Sequence, residues 1–384
     1  MTASPLQALP IERLRERTST KWRAYPADVL PLFVAETDFP LAPAITARLR
    51  AAVEIGDTGY TPPKPGIAEA YAGFARRRYG WEIDPAHVRS TGDVVMGLVE
   101  ILRATISLGD RVVITPPVYP PFYDLIPEAG GVVETVPLLA DAGYTLDLAG
   151  IEAALAGGAR AVLLCNPHNP TGTVHSRETL AELAEIAARH GAIVVSDEIH
   201  APLVHAPATF TPFLSASPVA ASVGYAVASA SKAFNLAGLK CALMSTAADH
   251  TRRVVQGLPK EVEWRTGHFG ALAGVAAFSP ESDEWLDALL AALDANRHLL
   301  ADLLAEHVPA ARYAIPDAGY LAWVDLSGLG WGEDPAERIL TEARVAVHHG
   351  PTFGDEGRGF VRVNFGCSPE VLREAIERIG ELSR

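Results

Sequence analysis

Ser229-Ala230-Ser231-Lys232-Ala233-Phe234-Asn235-Leu236-Ala237-Gly238-Leu239-Lys240 is the stretch from which the fold is read. It follows an apolar run at 222–228 and sets one lysine in a turn of small residues. A lone lysine is ordinarily a solvated surface group. This one has hydroxyls beside it and a second cation, Lys240, eight positions on. Two comparable clusters precede it in the chain. Asn166-Pro167-His168-Asn169-Pro170-Thr171-Gly172 follows the apolar run 161–165, and Ser196-Asp197-Glu198 closes the run 192–196.

Outward from these clusters, β-rich runs at 111–115, 132–136, 161–165, 192–196 and 222–228 alternate with helical periodicity, as at 95–106 and 177–189. Short strands alternating with helices of that length predict βαβ units and an α/β fold with a mostly parallel sheet buried on both faces. All three polar clusters stand just after such strands. That carboxyl edge is where open α/β sheets bind ligands. Upstream, 44–55 and 67–79 read as helices, with a Gly59-Tyr60-Thr61-Pro62-Pro63 loop between them. Beyond Pro280 come a long helix at 283–304, strands at 312–316, 320–325 and 360–365, and a helix near 335–343. This pattern predicts a smaller α+β domain over 281–384. It is joined by an N-terminal segment, 1–45, with a short helix at 11–17 and an extended stretch at 30–35. Residues 46–280 form the large domain.

A chain of 384 residues, 49% of them hydrophobic, has apolar surface enough for two cores. The net charge of −14 argues against nucleic acid as the main partner. Cys165, Cys241 and Cys367 lack metal-ligand or disulfide-framework spacing. No apolar run reaches membrane-spanning length, and Arg and Glu interrupt the first residues, so the expectation is a cytoplasmic protein. Metal is not expected either. His348 and His349 are adjacent, so in a strand they face opposite ways, and His200 and His205 have no partner pattern.

The clusters describe a pocket for a phosphorylated, protonated ring tethered to an amine. Pyridoxal 5′-phosphate (PLP) is such a ligand. Lys232 supplies the amine, and Asp197 a carboxylate for the pyridine N–H. Asn169, held between prolines, offers an amide to the ring oxygen. Tyr119, in Pro116-Pro117-Val118-Tyr119, stands ready to stack on the ring. Ser229 and Lys240, with Ser231 as a weaker candidate, answer the phosphate. So do the backbone N–H groups of Val94 and Val95, opening a helix after Thr91-Gly92-Asp93. Asp93 itself is read as the cap of that helix, turned away from the anion.

Taken together, the motifs resemble the class I/II aminotransferase superfamily of fold-type I PLP enzymes over nearly the whole chain. The resemblance implies a large domain with a mostly parallel, seven-stranded type of sheet between helices. It also implies a homodimer with shared active sites, in which Tyr60 reaches the neighbour's phosphate. Arg362, in Phe360-Val361-Arg362-Val363-Asn364, matches the arginine that grips the substrate α-carboxylate. Within the superfamily, Asp197-Glu198-Ile199-His200 and the segment Leu30-Pro31-Leu32-Phe33-Val34-Ala35-Glu36-Thr37-Asp38 resemble the MalY/PatB group. Glu36 and Thr37 stand where many members have Asp and Met. That group implies a PLP-dependent β-lyase acting on cystathionine or other S-substituted cysteines, with an aminotransferase as the alternative. Lys232 would be the base and His200 a partner near the ring oxygen. Ala35 would face the substrate, and Tyr60 or Tyr119 would stand near the leaving sulfur. The groups that recognise the distal arm would lie on loops such as 258–267, which the sequence does not place in space. A purely regulatory binding role is disfavoured, because every cofactor position is retained.

Overall fold

A computed structural model describes residues 5–383. Its main sheet has seven strands: β1 (Val88–Thr91), β2 (Arg111–Ile114), β3 (Val132–Thr135), β4 (Ala161–Cys165), β5 (Ile193–Asp197), β6 (Gly224–Ala228) and β7 (Ala242–Ser245). They lie in the order β1-β7-β6-β5-β4-β2-β3. Only β7 runs against the others. The fold is α/β, as the alternation of strands and helices predicts.

β4 and β6 are buried at every position, which is why they read as continuous apolar runs. Helices cover both faces. The helix Val94–Thr105 lies on β6 and β7 so closely that a Cβ on Gly97 would sit 2.9 Å from Val227. Glycine is therefore needed there, and the close approach brings the helix N-terminus to the carboxyl edge of the sheet.

The reversed strand positions the lysine. β6 ends at Ala228, and the chain turns through residues 229–241 before returning as β7. Asn235 and Lys240 take left-handed φ values of 56° and 58° within that turn. Lys232 thus stands on a short, doubly anchored return loop rather than on a helix-bearing crossover.

A second, antiparallel sheet contains β8 (Arg312–Tyr313), β9 (Leu321–Asp325), β10 (His348–His349) and β11 (Phe360–Asn364), in the order β10-β11-β9-β8. Leu30–Pro31 pairs in parallel with Val345–Ala346, beside this sheet. From there, residues 32–38 cross to the lysine loop, and two asparagines hold the crossing. Asn364 Nδ2 donates to the carbonyls of Val34 and Glu36 at 2.6 and 2.7 Å. Asn235 accepts from Thr37 N–H and donates to Thr37 C=O, both at 3.1 Å. A buried ion pair, Lys21 Nζ to Asp38 Oδ1 at 2.7 Å, closes the far end.

The structure differs from the sequence reading at several points. Residues 218–223 form a helix capped by the Ser217 hydroxyl, so β6 starts at Gly224 and not at 222. The segment 258–267 contains a helix, Lys260–Trp264, and does not line the cavity described below. The helix near 335–343 changes to π-type pitch at Ile339–Ala343. β1, β7 and the last helix, Pro369–Glu381, had no counterpart in the reading.

Lys21→Met leaves Asp38 buried without its partner and should cost about 3–5 kcal/mol, seen as a lower midpoint in urea unfolding. Adding Asp38→Leu should recover most of the loss. An unchanged midpoint in the single variant would show that the pair contributes nothing.

Candidate active site

The carboxyl ends of β1, β2, β4, β5 and β6 open onto one cavity of about 460 Å³. Residues 33–35 and the second sheet close its other side. Lys232, Asp197, Asn169, Tyr119, His200, Ser231, Lys240, Val94, Val95, Arg362 and Ala35 all line it. Residues distant in sequence meet here because most stand at the carboxyl ends of strands of one sheet, while Ala35 and Arg362 come from the N-terminal segment and the second sheet.

Lys232 Nζ donates to the carbonyl of Ala35 at 3.2 Å. Burial pushes its pKa down to about 8, with the nearby Arg362 charge acting in the same direction. Asp197 is buried, and Ile199 N–H donates to it at 3.1 Å. Burial raises its pKa to about 7. Such a carboxylate gains from a cationic N–H placed against it. Its neighbour Glu198 turns the other way and braces the interior, accepting from Ser196 Oγ at 3.1 Å and from Phe213 N–H at 2.8 Å.

Arg362 lies buried in β11. Its Nη1 donates to Asn169 Oδ1 at 3.1 Å and its Nη2 to Phe33 O at 3.0 Å. The guanidinium sits 5.0 Å from the Phe353 ring centre, and its Nε is buried without a partner. Burial lowers its pKa to about 10. His200 Nδ1 is likewise buried and unpartnered, and burial drives the ring's pKa down to about 3, so the imidazole is neutral. Tyr119 packs edge-on against Phe122 with ring centres 5.8 Å apart, leaving its hydroxyl on a ring whose pKa burial raises to about 12.

At the Val94 end of the cavity, Asp93 caps its own helix through Met96 N–H at 2.9 Å, as read from the sequence, but it is not turned away: it lines the cavity and pairs with Lys240 at 2.9 Å. Ser231 lines the cavity. Ser229 does not: its hydroxyl donates to Cys241 C=O at 2.7 Å and lies 2.7 Å from Ser231 Oγ. Tyr60 is also away from this cavity and is fully exposed. Two residues to which the sequence reading gave no place in the site belong here. Tyr320 Oη donates to Ala35 C=O at 3.0 Å, and His348 pairs across strands with Arg362 and lines the cavity. The pairing of β10 with β11 would have been needed to find His348. His349 faces the opposite way, to Asp334 at 2.7 Å. Among the described residues, no group of three or more His, Cys, Asp and Glu side chains is placed to hold a metal ion.

The aminotransferase class I and II family model matches residues 28–379. The chain belongs to that family. Among its relatives, a cystathionine β-lyase from Corynebacterium glutamicum is 37% identical over 97% of this chain and 98% of its own. The cystathionine β-lyase PatB of Bacillus subtilis is 35% identical over 92% of both. The crystal structure of PLP-containing cystalysin from Treponema denticola superposes with a TM-score of 0.91 at 26% identity, covering 99% of this chain and 98% of that one.

The cofactor of this family member is pyridoxal 5′-phosphate, and the cavity fits it. A desolvated lysine stands ready for an aldehyde, and a buried carboxylate lacks a cationic partner. At 460 Å³ the space accommodates the cofactor and a small amino acid together.

Because the amine must be neutral to react, recombination of the cofactor-free protein with PLP should quicken about tenfold per pH unit up to about pH 8 and then level off. Stopped-flow absorbance checks this. A rise that continues to pH 10 would mean that Lys232 titrates like a solvated lysine.

Proposed function

We propose that this chain is a PLP-dependent carbon–sulfur β-lyase that converts L-cystathionine, or a related S-substituted cysteine, and water to a thiol, pyruvate and ammonia. The observation that carries the reading is full-length kinship with cystathionine β-lyases at 35–37% identity. An intact cofactor cavity supports it. So does His200 at the third position after Asp197, where aminotransferases of the class tend to have tyrosine.

When bound, PLP draws electron density from the substrate Cα into its protonated ring. The chain's own residues do the rest. Arg362, oriented by Asn169 and Phe33, receives the α-carboxylate as a buried cation with an Nη1 hydrogen left free, and fixes the direction of the Cα–H bond. Lys232 Nζ, its pKa lowered by burial, takes the Cα proton. Asp197 holds the proton on the ring nitrogen, and neutral His200 lies beside the ring oxygen with the Asn169 amide. Ser231, Lys240 and the N–H groups of Val94 and Val95 hold the phosphate. Ser229 acts behind them by fixing Ser231. Tyr119 covers the ring face. Sulfur leaves Cβ as a thiolate, which needs no dedicated acid and takes its proton afterwards from Lys232 or solvent, and the three-carbon remainder takes up water to give pyruvate and ammonia.

The organisation proposed is a large domain at 46–280 and a smaller one at 281–384, completed by 1–45. The pairing of Leu30–Pro31 with Val345–Ala346 supports the last point. We further propose a homodimer in which Tyr60 reaches the partner's phosphate site. Tyr60 is fully exposed, and the large side chains of Ile55 and Trp264 are also mostly exposed. Thr61 Oγ1 ties the Tyr60 loop to the carbonyl of Thr266 at 2.8 Å. The protein would work in the cytoplasm, in sulfur amino-acid metabolism. Its three free, buried cysteines suit a reducing compartment.

Purified holoenzyme given L-cystathionine should release pyruvate without any 2-oxo acid. Conversion of the cofactor to its amine form, with pyruvate absent, would instead establish an aminotransferase. Lys232→Ala should lose at least about a thousandfold in kcat, losing both base and tether. Arg362→Ala should raise KM by about a hundredfold, with a smaller effect on kcat. Equal KM values in parent and variant would remove Arg362 from the carboxylate site.

A further inference from the structure

The cofactor and the α-carboxylate account for most of the polar side chains lining the cavity; Asp93 is held by Lys240 and its own helix, and Cys165 by the Pro167 carbonyl, which leaves one without a part. His348 also lines it, on β10 beside Arg362. Arg362 Nη2 lies 3.2 Å from His348 Nδ1 and 3.0 Å from Phe33 C=O. A guanidinium only donates, and Nη2 carries two hydrogens, one for each acceptor. Nδ1 also lies 3.3 Å from the Phe33 carbonyl, so two partners compete for it; the Arg362 cation at 3.2 Å is the stronger, and Nδ1 presents its lone pair to it. Burial, with the Arg362 charge, lowers the ring's pKa to about 4, so the imidazole is neutral and its one proton sits on Nε2. Phe353 packs edge-on against the imidazole at 5.0 Å and also lies under the Arg362 guanidinium, which fixes the ring's orientation.

Nε2–H has no partner among the described residues, yet it is not among the sealed unpartnered atoms. It is an oriented, open donor on a cavity whose lining also includes the apolar Phe33, Val34, Pro120 and Pro121. Such a wall accepts a methylene chain, and a single donor in it selects what the chain ends in. A carboxylate gains most, because a hydrogen bond to an ionised acceptor is the stronger kind.

We propose that His348 Nε2–H hydrogen-bonds a carboxylate on the distal arm of the substrate, making His348 a specificity-determining residue. The inference deepens the β-lyase reading, on which it rests for the bond that is cleaved. What the site binds can be tested separately.

The test titrates holoenzyme with 2-aminopimelate and with 2-aminoheptanoate, following the cofactor absorbance. The two ligands differ in the distal carboxylate, and neither has a leaving group at Cβ. His348→Asn keeps an acceptor for Arg362 but loses the Nε2–H donor. It should weaken 2-aminopimelate binding about tenfold or more and change 2-aminoheptanoate by no more than about twofold. His348→Gln, whose amide N–H reaches the Nε2 position, should restore most of the discrimination. Equal weakening of both ligands in His348→Asn would overturn the proposal and leave His348 as a brace for Arg362. No change in either would overturn it as well, and so would a failure of His348→Gln to restore the contrast. If the parent binds the two ligands unequally, as expected, but releases no pyruvate from any S-substituted cysteine, the lyase reading fails and the role of His348 stands.

Discussion

The carbonyl of Ala35 is where the two sheets meet. It accepts from Lys232 Nζ at 3.2 Å and from Tyr320 Oη at 3.0 Å. One donor comes from the return loop of the large sheet, the other from the start of the strand pair that carries Arg362. Their common acceptor sits on a segment whose flanking carbonyls, of Val34 and Glu36, are both held by Asn364, with Thr37 beyond them held by Asn235. A backbone carbonyl fixed in this way is an oriented dipole rather than a charge. It holds the lysine without neutralising it, so the amine remains easy to deprotonate. A carboxylate at the same place would raise the lysine pKa and oppose that use.

The same economy governs the rest of the cavity. Its charged groups are desolvated, and direct ion pairs would quench them. Among the described residues, Lys232 and Asp197 do not pair with each other, and Arg362 is bound by an amide, a carbonyl and an imidazole instead of an acid. His200 and His348 are held neutral by burial. The site therefore keeps its cations free to meet anions that arrive with the ligand. Lys240 is the exception, paired with Asp93 at 2.9 Å, but it is more than half exposed, where such a pair is weak and readily exchanged for a phosphate.

What could be read from the sequence follows from the range of the interaction responsible. The buried strands Ala161–Cys165 and Ile193–Asp197 declared themselves because both faces are covered and nearly every position is apolar. Val88–Thr91 is just as buried, yet its sequence, Val-Arg-Ser-Thr, has no such signature. Arg89 is accommodated by carbonyls of Val255, Leu258 and Pro259, which only the tertiary structure brings to it. The cofactor cluster was legible because proline, glycine and asparagine at strand ends are local turn chemistry. Tyr320 and His348 were not, since their places depend on partners 285 and 14 residues away. Ser229 shows the finer limit. Composition set two hydroxyls near the lysine, but which of them faces the cavity is decided by the Ser229 bond to Cys241 on the returning strand.

That returning strand explains why the site tolerates so short a lysine loop. In a parallel crossover the chain must travel the length of the sheet and come back, and the residues after the strand are committed to a helix. β7 instead runs antiparallel beside β6, so the chain need only reverse. The reversal uses left-handed conformations at Asn235 and Lys240. Asn235 takes that conformation at low cost and commits its side chain to Thr37, two residues beyond Ala35 in the cavity wall. One asparagine thus turns the lysine loop and ties it to the N-terminal segment. The distance between the amine and the Ala35 carbonyl is then set by two rigid anchors and not by the length of a flexible side chain.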